Sequence, residues 1–255
     1  MDAMDVLRQI YGDGDTTLVF GHRGAKAYAP MNTITAFELA AEQGAHGIEL
    51  DVQFSSDGEL VILHDYTVDE TTDGTGKVVS KSLDELKSLD AGSWFDPKFT
   101  GLRIPTLDEV FQAVGQSLIV NVEIKVYDLP DASIEQAIAD CILRNKMQER
   151  VIISSFTPVN IQRMKTIAPD IPRGYLQFPY TRFEVTQPIL IPEDYHAEHW
   201  HHTMIENRQM EYAKETGKYV NTWTVNEAAR ARQLRLMGVH CIITDNPDVI
   251  LKALR

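Results

Sequence analysis

Apolar positions along the chain alternate between two spacings. Thr35 to Gln43 carries the three-to-four-residue spacing of an amphipathic helix, Gly44 stops it, and Gly47 to Val52 follows with the two-residue alternation of a strand. The unit recurs. Met204 to Thr216 reads as helix, Gly217 as stop and Tyr219 to Val225 as strand; Asn226 to Met237, Gly238 and Val239 to Thr244 repeat it. Short apolar runs at Leu18–Phe20, Leu118–Ile124, Val151–Ser155, Arg173–Leu176 and Ile189–Ile191 bring the predicted strands to eight.

Strands that alternate with helices predict a parallel sheet, and eight of them in 255 residues predict a closed (β/α)8 TIM barrel. The rival is an open doubly wound sheet, which would carry Gly-x-Gly-x-x-Gly after its first strand; none stands there. The chain reads as one barrel domain over residues 1–255. Periodicity lapses over residues 66–104, where Thr71-Thr72-Asp73-Gly74-Thr75-Gly76 and Trp94-Phe95-Asp96-Pro97 occur, so this stretch is expected to be a small insertion after the second strand, packed over the strand ends.

Alternation also places the acids. In Ile48-Glu49-Leu50-Asp51-Val52 the apolar side chains share one face and Glu49 and Asp51 the other; in Val122-Glu123-Ile124-Lys125 the same rule pairs Glu123 with Lys125. In a barrel the apolar faces would pack on helices and the acids would point inward. Three inward carboxylates repel one another and are costly to desolvate unless a cation holds them, and hard oxygen donors suit Mg²⁺, Ca²⁺ or Mn²⁺. The alternative is a set of buried ion pairs with Arg23 and Lys125. His22 and His64 each follow an apolar run, Leu-Val-Phe-Gly-His22 and Leu-Val-Ile-Leu-His64, and so are expected on the same rim. Two histidines beside three acids favour general acid–base work. The cluster His196-Ala-Glu-His199-Trp-His201-His202 fits no zinc spacing and is read as a loop or helix entry without catalytic duty. His46 and His240 stand at strand starts, on the opposite rim, and are read as structural.

Composition narrows the partners. Apolar residues make up 44% of the chain, enough for a sizeable core, and the formal net charge is −13. That charge disfavours nucleic acid and anionic lipid surfaces, yet it admits a small phosphorylated substrate, because a bound cation reverses the local field. The acidic start Met-Asp-Ala-Met-Asp lacks a signal-peptide pattern, and no apolar run is long enough for membrane insertion. Cys141 and Cys241 stand in apolar company and read as reduced, structural thiols, which favours a cytoplasmic setting. Oligomeric state is left open.

Taken in order, several runs resemble the glycerophosphodiester phosphodiesterase family. They are Gly-His22-Arg23-Gly with Pro30-Met31-Asn32-Thr33, Glu49-Leu-Asp51, His64-Asp65, Val-Glu123-Ile-Lys125, Trp223-Thr-Val-Asn226 and Ile-Ile-Thr-Asp245-Asn-Pro. The resemblance implies a barrel with an insertion after the second strand, and cleavage of glycerophosphodiesters to glycerol 3-phosphate and an alcohol. By position it implies Glu49, Asp51 and Glu123 as ligands of one divalent cation and His22 and His64 as the acid–base pair. It also implies Arg23 and Lys125 as phosphate contacts and Trp223 as an aromatic wall of the pocket. Three positions depart from the family pattern: Met31 replaces a glutamate, Glu70 an arginine and Tyr66 a proline. A lysophospholipase D-type activity on an acylated substrate, or a weakly catalytic glycerophosphodiester-binding protein, are the alternatives. A barrel lyase or isomerase acting on a phosphorylated sugar would not need both histidines.

Overall fold

The structure, a computed structural model, describes residues 1–12, 16–125, 131–179 and 192–255. Nine strands form one sheet: β1 (Leu18–His22), β2 (Gly47–Phe54), β3 (Leu60–Ile62), β4 (Ile119–Ile124), β5 (Val151–Ser155), β6 (Arg173–Gln177), β7 (Ala197–His201), β8 (Tyr219–Trp223) and β9 (Cys241–Thr244). Their order is β1-β9-β8-β7-β6-β5-β4-β2, and β1 pairs with β2 to close the ring. Every pair in that ring is parallel; β3 lies antiparallel on β2, outside it. The fold is therefore the predicted TIM barrel.

Helices α1 (Ala3–Tyr11), α2 (Ile34–Glu42), α3 (Leu83–Ser88), α4 (Leu107–Val114), α5 (Ser133–Arg144), α6 (Pro158–Ile167), α7 (Asn207–Glu215), α8 (Ala228–Leu236) and α9 (Pro247–Leu254) join these strands, with short 3₁₀ turns at Val78–Ser80, Pro97–Phe99 and His202–Met204. Local chemistry sets their ends. Thr33 caps α2 by accepting from the Ala36 N–H at 3.2 Å, and Thr106 with Glu109 forms a capping box on α4. The predicted stops Gly44, Gly217 and Gly238 have φ of 86°, 66° and 87°, a conformation that a Cβ would strain.

The core has two layers. Outside the ring, Ile48, Leu50, Val52, Val120, Val122 and Ile124 pack against helix residues such as Phe37, Val110, Phe111 and Ile138. Inside it, Leu18, Phe20, Ile152, Cys241 and Ile243 meet Val6, Leu7, Ile10 and Tyr11 of α1. Helix α1 thus plugs the N-terminal mouth, with the Tyr11 hydroxyl donating to Asn221 Oδ1 at 2.8 Å. Among the described residues, open space inside the ring remains toward the C-terminal rim, the end at which TIM barrels carry their functional loops. Both cysteines are free and buried, and burial pushes the Cys141 thiol up to about 12.

One expectation is revised and another is not tested. The strand between β6 and β8 is Ala197–His201, so the histidine cluster is largely a barrel strand rather than a loop; only His202 opens a short 3₁₀ turn. The strand expected at Ile189–Ile191 lies outside the described residues. His46 and His240 do sit at strand starts, and the structure adds His196 to them. Each Nδ1 accepts a backbone N–H of the neighbouring strand's start, from Val19 at 3.1 Å, Val220 at 3.0 Å and Arg173 at 3.2 Å respectively.

Candidate active site

Parallel register brings the predicted residues to one rim. His22 ends β1 opposite Glu49 of β2, and Asp51 of β2 stands opposite Glu123 of β4. Arg23 follows His22 in the left-handed region, at φ 54°, and its N–H donates to the Glu49 carbonyl at 2.9 Å and to Glu49 Oε2 at 3.2 Å. That turn swings its side chain back, so that Arg23 Nε lies 3.1 Å from Asp51 Oδ2. Asn32 Nδ2 donates to the same oxygen at 2.9 Å. Lys125, just past β4, places Nζ 3.1 Å from Glu123 Oε1 and 3.9 Å from Asp51 Oδ1.

The acids form a compact cluster. One oxygen from each of Glu49, Asp51 and Glu123 can be chosen so that all lie within 4.8 Å of one another, and all three residues are buried. Burial, then repulsion from Asp51 and Glu123, pushes the Glu49 carboxyl well above its usual range; burial and Asp51 push Glu123 up to about 7. Burial would raise Asp51 too, but Arg23, His64 and Lys125 outweigh it and hold it ionised. Asp51 Oδ1 is buried with no hydrogen-bond partner among the described residues. Clustered acids that resist joint ionisation, with an oxygen left unsatisfied, are a donor set suited to a hard divalent cation.

Both histidines are anchored by a carboxylate. His22 Nδ1 lies 2.7 Å from Asp245 Oδ1, and His64 Nδ1 lies 2.7 Å from Asp65 Oδ1. Asp245 is itself held by Asn226, whose Nδ2 donates to Oδ2 at 2.8 Å while its Oδ1 accepts the Asp245 N–H at 2.9 Å. Burial would raise the Asp245 carboxyl, but the His22 hydrogen bond, His22 and Lys26 hold it at about 2. Burial lowers both imidazoles from their usual value, against the opposing pull of Asp245 on His22 and of Asp51 on His64. The loop carrying His64 is clamped by Gln53, whose Nε2 donates to the carbonyls of Leu63 at 2.7 Å and Asp65 at 2.8 Å.

Between these groups lies a cavity of about 160 Å³, with His22, Arg23, Glu49, His64, Glu123 and Lys125 along one side. The opposite wall is Phe156, Leu176, Phe178, Trp223 and Ile243. Trp223 is fixed by an Nε1–H bond to the His199 carbonyl at 2.9 Å and by the edge-on Phe156 ring at 5.4 Å. A broader groove of about 930 Å³ runs between α7 and α8, but none of the clustered acids or paired histidines lines it. Among the described residues, this small cavity brings together clustered carboxylates, two cationic side chains and two imidazoles, groups of the kinds that P–O cleavage uses.

A family model for the glycerophosphoryl diester phosphodiesterase family matches residues 22–249. The chain belongs to that family. It is 40% identical to a glycerophosphodiester phosphodiesterase of Caldanaerobacter subterraneus, an alignment that covers 94% of this chain and 98% of the relative. Its fold superimposes with a TM-score of 0.79 and 30% identity on a phosphodiesterase from Oleispira antarctica in complex with the product sn-glycerol-3-phosphate, covering 92% and 96% of the two chains. The glycerophosphodiester phosphodiesterase structure from Agrobacterium tumefaciens matches with the same TM-score and 30% identity, over 93% of this chain and 100% of that one.

For this family member, the site candidates His22, Arg23, Glu49, Asp51, His64, Glu123, Lys125 and Trp223 all reach the one rim. The sequence reading missed their supports. Asp245 and Asp65 stand in the family-like runs without an assigned role, and nothing local in the sequence assigns one to Phe156, Phe178 or Asn121. Gln53 carried a signal that went unread: it continues the Glu49, Asp51 alternation on the same face of β2. At the family's glutamate position, the Met31 sulfur takes the Arg23 Nη1–H at 3.3 Å, a far weaker partner than a carboxylate.

Proposed function

We propose that this chain hydrolyses glycerophosphodiesters to glycerol 3-phosphate and an alcohol, with Glu49, Asp51 and Glu123 holding one divalent cation, Mg²⁺, Ca²⁺ or Mn²⁺. The observation that carries the reading is the pair of carboxylate-anchored histidines facing a triad of buried acids across one small cavity. Similarity to a phosphodiesterase seen with glycerol 3-phosphate supports the substrate class. When bound, the cation would neutralise charge on the phosphoryl group. Its charge, with those of Arg23 and Lys125, balances three carboxylates and one phosphodiester, so an anion can enter a site rich in acids.

The chain's own residues divide the remaining work. Arg23 and Lys125 bind the non-bridging phosphoryl oxygens. One of His22 and His64 takes the proton of the attacking oxygen, which belongs to water or to the substrate's glycerol 2-hydroxyl, as a new P–O bond forms. The other gives a proton to the departing alkoxide as the old bond breaks; where the 2-hydroxyl attacks, the cyclic phosphate so formed is then opened by water to give glycerol 3-phosphate. Asp245 and Asp65 hold the imidazoles in one orientation and tautomer. The aromatic wall excludes water from the far side of the cavity.

A second reading, a lysophospholipase D-type activity on an acylated substrate, is favoured by Phe178, which is 45% exposed at the outer end of the apolar wall. One experiment separates the readings: release of glycerol 3-phosphate or acylglycerol phosphate from choline, ethanolamine, glycerol and inositol diesters, with and without chelator. Deacylated diesters should be cleaved faster, and chelation should abolish turnover. Full activity after exhaustive chelation rejects the cation site, and preference for the acylated diesters rejects the first reading.

A further inference from the structure

We propose that Asn121 recognises a hydroxyl on the glycerol half of the substrate and sets the preference for a glycerol ester over a phosphodiester that lacks it. The inference rests on the hydrolase reading above and names how that site selects its substrate.

Asn121 lies on β4 two residues before Glu123, on the same inward face, and its register partner on β2 is Glu49. Its side chain lines the cavity although the residue is only 1% exposed. Neither its amide oxygen nor its amide nitrogen has a hydrogen-bond partner among the described residues. A primary amide buried this deeply without partners is destabilising, and an apolar residue would be the cheaper choice for stability. Two positions earlier on the same face stands Ile119, which packs with the apolar plug around α1. The change from Ile119 to Asn121 therefore marks where the barrel interior stops being filler and meets the cavity.

The other groups around the cavity suit different chemistry. Arg23 and Lys125 match an anion, and the three acids match a cation. Trp223 has its one N–H engaged by the His199 carbonyl. An amide presents a donor and an acceptor side by side, and a hydroxyl needs both. A hydroxyl seated on Asn121 would satisfy the orphaned atoms beside the acids and phosphate contacts, where the glycerol half of the ester must lie. A site built around a buried polar group discriminates strongly against an analogue that leaves it unpaired.

Calorimetric titration of the cation-supplemented protein compares glycerol 3-phosphate with the two propanediol monophosphates that each lack one glycerol hydroxyl. Binding is read in place of turnover because the 2-hydroxyl is also a candidate nucleophile. The wild type should bind glycerol 3-phosphate about tenfold or more tighter than at least one of the analogues, the worth of one hydrogen bond. Asn121→Leu, which keeps the branched outline and removes both polar atoms, should bring all three ligands within about threefold of one another. Asn121→Ser, which retains one hydroxyl, should keep part of the preference and serves if the leucine variant does not fold. Equal binding of the three ligands by the wild type overturns the proposal. So does an unchanged preference in the variants, which would mean that Asn121 holds only an internal water. Failure of the wild type to release glycerol 3-phosphate from any diester would instead bring down the hydrolase reading, and this inference with it.

Discussion

Replacing Asp245 with Asn tests whether His22 is a working acid–base group or a buried structural histidine. The carboxylate lies 2.7 Å from His22 Nδ1, with its side chain 19% exposed. A hydrogen bond to a charged group contributes about 1.5–3 kcal/mol net, which at about 1.36 kcal/mol per decade is roughly 10- to 10²-fold in rate if the bond strengthens as His22 gains a proton. The upper end is expected here for two reasons. Lys26 Nζ lies 3.7 Å from Asp245 and Arg23 is adjacent, so losing the carboxylate leaves positive charge that opposes an imidazolium. An asparagine amide can also donate to Nδ1 and hold the ring in the other tautomer.

Measurement of kcat/KM against pH carries a second readout. Asp245 raises the His22 pKa against burial, so its removal lowers that pKa further. A His22 that acts as base must be neutral, and the acid limb then moves to lower pH. A His22 that acts as acid must be protonated, and the alkaline limb moves the same way. Cation affinity should be unchanged, since Asp245 is outside the acid triad. A rate within threefold of wild type together with an unshifted profile would refute the reasoning.

Three further outcomes follow from the geometry. His22→Ala and His64→Ala should each lose at least about 10² in turnover of natural diesters; on a nitrophenyl ester, which needs no leaving-group protonation, one variant should recover and the other should not, and near-normal activity of either on natural diesters contradicts the division of labour. Met31→Glu, which gives the Arg23 guanidinium a carboxylate in place of sulfur at 3.3 Å, should maintain or raise turnover of simple glycerophosphodiesters; a steep fall in kcat/KM would show that Met31 belongs to a differently adapted pocket. His199, fully buried, is held neutral because burial lowers its pKa from 6.5 to about 3. The unfolded chain therefore binds this proton first as pH drops through 6.5, and stability present above that pH should fall by about 2 kcal/mol by about pH 5 from this residue alone. Urea midpoints of wild type and His199→Gln at the two pH values check it, and an equal slope in both proteins rules it out.

Much of the barrel and the centre of the site are legible in the chain because they are short-range properties. Glu49 and Asp51 share a face through the two-residue period of one strand, and Glu123 and Lys125 do so through another. The glycines after α2, α7 and α8 announce the helix ends through their own backbone freedom. None of this requires knowledge of a distant neighbour. Strand β7 escaped that reading because its polarity is satisfied inside the protein. Glu198 is buried yet accepts from the Tyr195 hydroxyl and Gln177 Nε2, each at 2.6 Å, and His199 meets Asn221 at 2.9 Å in the barrel interior. A strand whose partners bury its charge shows no apolar alternation.

The support of His22 was decided by closure of the ring. His22 and Asp245 are 223 residues apart and meet because β9 returns to pair with β1. Closure likewise turns the apolar wall, drawn from β5, β6, β8 and β9, toward acids drawn from β2 and β4, and seats Tyr11 against Asn221. Alternation along each strand, a local property of the chain, sets which residue types face inward. Tertiary structure determined which of them touch, since contact across a closed barrel depends on register and strand order, and neither leaves a periodic trace in the chain.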